Sequence, residues 1–164
     1  MNGPVLKISH LAIQRVLLVC AVSFAMGFLL APVVTYGQSP ALMDAYEQFQ
    51  ALSAQGHYEE AVPFAEQALR LGEREFGPDH ATTASLLNNL GALYRAQGRY
   101  AEAEPLVERA LAIFENALGP DHPNVATALG NYAALLRGTE RSEDAMEMEA
   151  RAKAIRAKHA EENP

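Results

Sequence analysis

Five side chains in this 164-residue chain have the type and spacing to engage another molecule: Asn88, Asn89, Arg95, Asn131 and Arg137. An asparagine amide both donates and accepts, which suits the main-chain amides of an extended peptide. An arginine fork makes charge-assisted bonds to acidic side chains or a terminal carboxylate. Asparagine is a poor helix former, so its recurrence at Asn89 and Asn131 asks for a reason. The bland reason is structural: asparagines bonding between adjacent helices, arginines pairing with surface acids. Both readings stand at this point.

Reactive chemistry finds no such support. His80 and His122 each follow an aspartate, Asp79 and Asp121. Metal ligands must converge within about 2.0–2.2 Å of one ion, which residues one repeat apart do not do. They read instead as helix-entry capping, and His57 reads as a surface turn residue. No HExxH, nucleophile–base pair or phosphate loop is present. The acid pairs Glu59-Glu60 and Glu143-Asp144 fall where first helical turns are expected and complement the helix dipole. No catalytic residue, metal site or cofactor is expected.

The elements that must carry the asparagines and arginines repeat. Gly77-Pro78-Asp79-His80 recurs as Gly119-Pro120-Asp121-His122. At the same shift Ala84, Leu87, Asn89 and Arg95 map onto Ala126, Leu129, Asn131 and Arg137. Gly56 to Pro63 maps onto Gly98 to Pro105, and Ala68-Leu69 onto Ala110-Leu111. The period is about 42 residues, a length that means stacked supersecondary units.

Each period reads as two helices. Ala84, Leu87, Leu90 and Tyr94 make one apolar face over about 81–97, with Asp79 as N-cap and Gly98 as stop. Ala103, Leu106, Val107, Ala110, Leu111 and Phe114 do the same over about 100–117, which Gly119-Pro120 ends. Ser39-Pro40 opens the first unit. Pro63 and Pro105 each threaten one ladder bond of a second helix. In the third unit Gly130 weakens the helix by about 1 kcal/mol relative to alanine. Gly138 is expected to end that helix early, and Ser142 to start the next. Ser142–His159 is rich in Ala, Glu, Arg and Lys, with Glu147–Arg151 and Glu149–Lys153 as i, i+4 pairs. Its thin stripe of Ala145, Met148, Ala152 and Ile155 is read as a cap on the third unit or a contact for another chain.

Composition bounds the setting. All 20 acidic residues follow position 37, and only Lys7 and Arg15 of the 13 basic residues precede it, so the remainder carries 11 basic against 20 acidic side chains, a formal −9. That charge excludes a phosphate backbone as the natural partner and leaves solubility as its ordinary use. Val16–Val34 is uncharged, follows Lys7 and Arg15, and is followed by the small residues Thr35, Gly37 and Ser39. This is the build of a secretory signal cleaved after Gly37, or of an uncleaved anchor with 16–34 as the membrane tether. Either way the acidic domain is expected outside the cytoplasm: periplasmic, secreted or held at the inner membrane. The only cysteine, Cys20, lies in that run. The expected division is 1–37 signal or anchor, 38–160 repeat domain (units near 39–76, 81–118 and 123–160), and 161–164 tail.

Leu87, Leu90-Gly91, Tyr94, Ala103 and Ala110 resemble a tetratricopeptide repeat. Leu87–Tyr94, Gln97-Gly98-Arg99-Tyr100 and Gly119–Pro123 are similar to the longer kinesin-light-chain subtype, whose period exceeds the ordinary one of about 34 residues. The resemblance covers about 42–155. It implies an all-α, right-handed α-solenoid of about three helix-turn-helix units, the first helices lining a concave groove that holds a peptide or helix of another protein. Ser85, Asn88, Asn89, Ala92 and Arg95, with Thr127, Asn131, Ala134 and Arg137, would then line the groove. The leading expectation is a protein-binding adaptor. The rival is a structural component that stacks into a homo-oligomer or serves as an envelope spacer.

Overall fold

The computed structural model describes residues 39–162. The segment expected to be a signal or anchor lies outside the described residues. Six helices follow in order: α1 (Pro40–Ala54), α2 (Tyr58–Phe76), α3 (Ala81–Ala96), α4 (Tyr100–Leu118), α5 (Pro123–Gly138) and α6 (Ser142–Glu162). Paired in sequence, they form a right-handed α-solenoid of three helix-turn-helix units with no strand among the described residues.

Local chemistry sets the helix ends. The Ser39 hydroxyl accepts from the Leu42 amide, with Pro40 behind it at the first helical position. At α3 the cap is His80, one residue after the expected Asp79, and at α5 it is His122. The Nδ1 atoms of His80 and His122 accept from the amides of Thr82 and Asn124, each at 3.1 Å. Asp79 and Asp121 stand outside the helix.

The turns after α1 and α3 pass through Gly56 and Gly98 with φ of 78° and 73°. In the third unit the same left-handed place is held by Glu140, φ 63°. Gly138 therefore does not end α5 early; it is the last residue of the helix. It is small because the Tyr100 ring lies there, 2.5 Å from where a Cβ would be. Pro63 and Pro105 sit exposed inside α2 and α4, and both helices run on through them.

The core is a chain of interfaces between units. Leu90, Leu93, Tyr94 and Val107 close on Phe49, Ala61 and Ala65. Leu87, Phe114, Ala126 and Leu129 continue the core into the third unit, where Ala152 and Ile155 seal it. Full burial of each large apolar side chain stabilises by about 1.5–3 kcal/mol. Helices within a unit approach closely at small residues. Ala61, Ala103 and Ala145 are fully buried. A Cβ on Gly91 would stand 2.6 Å from Val107 Cγ2 and 3.3 Å from the Ala103 carbonyl oxygen.

Ion pairs repeat along the second helices: Glu73 with Arg109 at 2.8 Å, then Glu115 with Arg151 at 2.5 Å. Arg151 thus pairs across units rather than with Glu147. Glu149 pairs with Arg137, not with Lys153. Partly exposed pairs of this kind contribute about 0–1 kcal/mol each.

Candidate functional site

The first helices α1, α3 and α5 run side by side and define one face. Two polar contacts tie them together in one register. Asn131 Nδ2 donates to Asn88 Oδ1 at 3.0 Å. Asn89 Nδ2 meets the Tyr46 hydroxyl at 3.5 Å, the outer limit of a bond. Tyr46 and Asn88 hold equivalent positions, as do Asn89 and Asn131. Each contact therefore joins the same two positions of successive units. The next acceptor position is Gly130, and there Arg156 of α6 reaches over to give a bond to the Ala126 carbonyl at 3.0 Å.

This placement divides the five sequence-selected residues. Asn88 is buried and its amide oxygen is committed to Asn131. Asn131 and Asn89 are half-buried on the same face. Arg137 is exposed and gripped by Glu149 at 2.6 and 2.7 Å. Arg95, its equivalent in the second unit, is half-buried, and its side chain makes no hydrogen bond or ion pair with any described residue. Of the other lining residues, Ser85 and Thr127 turn their hydroxyls onto the carbonyls of Ala81 and Pro123 in their own helices. Ala92 and Ala134 are half-buried and leave room.

Sequence reasoning missed Ser53. It stands on α1 at the position that Arg95 holds on α3, one repeat earlier. Its hydroxyl and Arg95 Nε are the two buried side-chain polar atoms left without a partner among the described residues. The repeat alignment was the available signal, but serine at a position otherwise held by arginine carries no pattern.

The polar groups at the seams between units are engaged. Tyr94 donates to Glu66 at 2.9 Å, and Arg99 lies 4.3 Å over the Tyr94 ring. Tyr132 donates to Glu108 at 2.6 Å, while Arg141 holds Glu104. Burial first, then the neighbouring carboxylates, raise the pKa of both tyrosines, so they remain donors. Arg99 bonds Glu102 and lowers its pKa. The Tyr94–Glu66, Tyr132–Glu108 and Arg141–Glu104 contacts bind unit to unit, and the Arg99 contacts lie within the second unit. Among the described residues no three His, Cys, Asp or Glu side chains converge as metal ligands, and no helix is long and apolar enough to cross a membrane.

Comparisons with known proteins agree with this geometry. BtubC (BKLC) from P. vanneervenii is 26% identical with a TM-score of 0.68, over 78% of this chain and 52% of that one. A Podosopora anserina kinesin-light-chain protein with nearly identical TPR-like repeats is similar in fold at 23% identity and a TM-score of 0.63, over 90% of this chain and 65% of its own. The chain thus spans about half to two-thirds of the length of these structures. No curated protein matches it. The family model described as tetratricopeptide repeat matches residues 50–116 and 82–158. Built of three stacked helix pairs with kinesin-light-chain-like neighbours, the chain belongs to the tetratricopeptide repeat family.

Proposed function

We propose that this protein is a non-enzymatic adaptor that binds an extended segment of another protein on the face lined by α1, α3 and α5. The family supports protein binding in general. The observation that carries the finer reading is the half-buried Arg95 on that face, whose side chain has no partner among the described residues. Half-buried Asn89, Ala92, Asn131 and Ala134 line the rest of the face.

Stacking into an end-to-end oligomer is disfavoured by the outward faces of the first and last helices. Where α3 buries Thr83, Leu86, Leu90 and Leu93 on the preceding unit, α1 exposes Ala41, Asp44, Gln48 and Ala51. Where α4 sets Val107, Leu111 and Phe114 against the following unit, α6 carries Glu149, Lys153 and Arg156. A polar outer face is what keeps such an array from extending.

Export is part of the proposal and rests on the uncharged run Val16–Val34 behind Lys7 and Arg15. A fusion to a reporter that is active only outside the cytoplasm, with and without residues 1–37, tests it. Activity lost with the segment supports export; equal inactivity of both fusions removes it.

Capture experiments test the binding face with Ala92→Arg, which fills it, beside Arg70→Glu on the outer face of α2. Thermal melting confirms that both variants fold. A partner lost with Ala92→Arg and kept with Arg70→Glu supports the reading. A partner kept by Ala92→Arg places binding elsewhere.

A further inference from the structure

We infer that the edge formed by the turns after α1 and α3 is a second interaction surface, where Tyr58 and Glu59 seat an arginine side chain of a partner protein. This goes beyond the adaptor reading, which concerns the face of the first helices. The two turns border an open cleft of about 520 Å³, lined by His57, Tyr58, Glu59, Glu60, Gln97 and Arg99.

The cleft has a cause in the sequence. Tyr58 and Tyr100 hold equivalent positions as the first residues of α2 and α4. The Tyr100 ring settles on Gly138 at the end of α5, in space that a Cβ would take. The equivalent residue at the end of α3 is Ala96, whose methyl denies Tyr58 the same seat. Tyr100 is accordingly half-buried, whereas Tyr58 is 39% exposed. No other tyrosine or phenylalanine among the described residues is exposed. The third unit has Ser142 at this position, so the ring is offered once.

The neighbours of the ring select the ligand. Arg99, the cation of the cleft wall, is spent on Glu102 at 2.7 Å and on the Gln97 amide oxygen at 3.3 Å. Gln97 in turn donates to the Tyr58 carbonyl at 3.2 Å. Glu60 lies 3.1 Å from His57 Nδ1. The Glu59 side chain has no hydrogen-bond or ion-pair partner among the described residues. What the cleft leaves unsatisfied is therefore an aromatic ring beside a carboxylate. That pair repels an anion, and a neutral apolar side chain covers the ring while leaving the carboxylate unpaired. A guanidinium meets both needs: it stacks flat on the ring and gives its N–H groups to the carboxylate. The protein uses the same arrangement inside the second unit, where Arg99 lies 4.3 Å over the Tyr94 ring and bonds Glu102. A domain with 11 basic against 20 acidic side chains, a formal −9, also draws a basic partner toward its surface.

Nuclear magnetic resonance titration of residues 38–164, which hold all six helices, tests the seat. The probe is the peptide Gly-Ser-Arg-Gly-Ser, blocked at both ends, beside the same peptide with glutamine in place of arginine. Dispersed amide signals confirm the fold of every variant. The arginine peptide should shift the backbone amides of Tyr58, Glu59 and Gln97, and the glutamine peptide should not. Tyr58→Leu, which keeps an apolar side chain and removes the ring, should weaken binding about two- to fivefold. Glu59→Gln should weaken it as well. Ala96→Gly, which gives Tyr58 the seat that Tyr100 has, should weaken it although both contact residues remain. No shift at these amides, or equal shifts with the glutamine peptide, overturns the seat. So does an affinity left unchanged by Tyr58→Leu, Glu59→Gln or Ala96→Gly. Shifts confined to other acids, such as Glu143 and Asp144, would mark attraction by net charge alone and overturn it too.

Discussion

Asn131 on α5 donates to Asn88 on α3 at 3.0 Å, joining the first helices of the second and third units through a pair of amides. Asn88 is 7% exposed, so its loss is not made good by water. Asn88→Ala should destabilise the domain by about 1–3 kcal/mol. The double variant Asn88→Ala, Asn131→Ala should cost less than the sum of the two single changes, because neither partner is then left unpaired. Chemical denaturation of the four proteins checks this, and strict additivity would show that the pair is not coupled.

Glu140 occupies, at φ 63°, the turn position that Gly56 and Gly98 hold in the other units. A left-handed conformation strains a residue with a Cβ and does not strain glycine. Among the described residues Glu140 makes no ion pair that the change would remove, and its neighbour Arg141 bonds Glu104 instead. Glu140→Gly should stabilise by roughly 0.5–1 kcal/mol, read as a higher midpoint of unfolding at unchanged slope. A lower midpoint would refute the strain argument.

Glu75 holds the start of α1, accepting from both the amide and the hydroxyl of Ser39. Those two bonds set its pKa below the ordinary 4.5. The folded value therefore lies below the unfolded one. The contribution is fully present above about pH 4.5 and is lost as pH falls through the lower, folded value. Protection of the Leu42 and Met43 amides, relative to their intrinsic exchange rates, should fall in that acid window, and Glu75→Gln should show the lower protection already at neutral pH. Protection that does not change with pH in the parent protein would rule the link out.

The outward faces of α1 and α6 should keep the domain monomeric. Light scattering on residues 38–164 should give a single-chain mass, whereas Glu149→Val with Lys153→Leu and Arg156→Phe, which restores the side chains of Val107, Leu111 and Phe114, should raise it. Apolar area newly exposed at the end of the array would drive that association. A dimeric parent protein would put self-assembly ahead of the adaptor reading.

The sequence by itself determined the repeat period, two helices per unit, the family and the apolar positions of the core. These follow from repetition and helical spacing, which are properties of the chain order alone. Leu87, Leu90, Val107 and Ala110 are buried because a 3.6-residue period puts them on one side of a helix whatever lies opposite. The histidine caps are half-legible: the sequence places His80 and His122 at helix entry, but N-cap preference also favours Asp79, and only the structure shows that the imidazole takes the amide.

Only the tertiary structure decided which polar residues remain free. Asn88 and Asn89 are neighbours of the same type, as Arg95 and Arg137 are equivalents of the same type, and no pattern in the chain separates them. Asn88 is spent on Asn131, and Arg137 on Glu149, because the packing of separate helices brings those partners within bonding distance. Arg95 and Ser53 lack such partners. A side chain's availability depends on what lies across from it, and that is a property of the stacking rather than of the repeat.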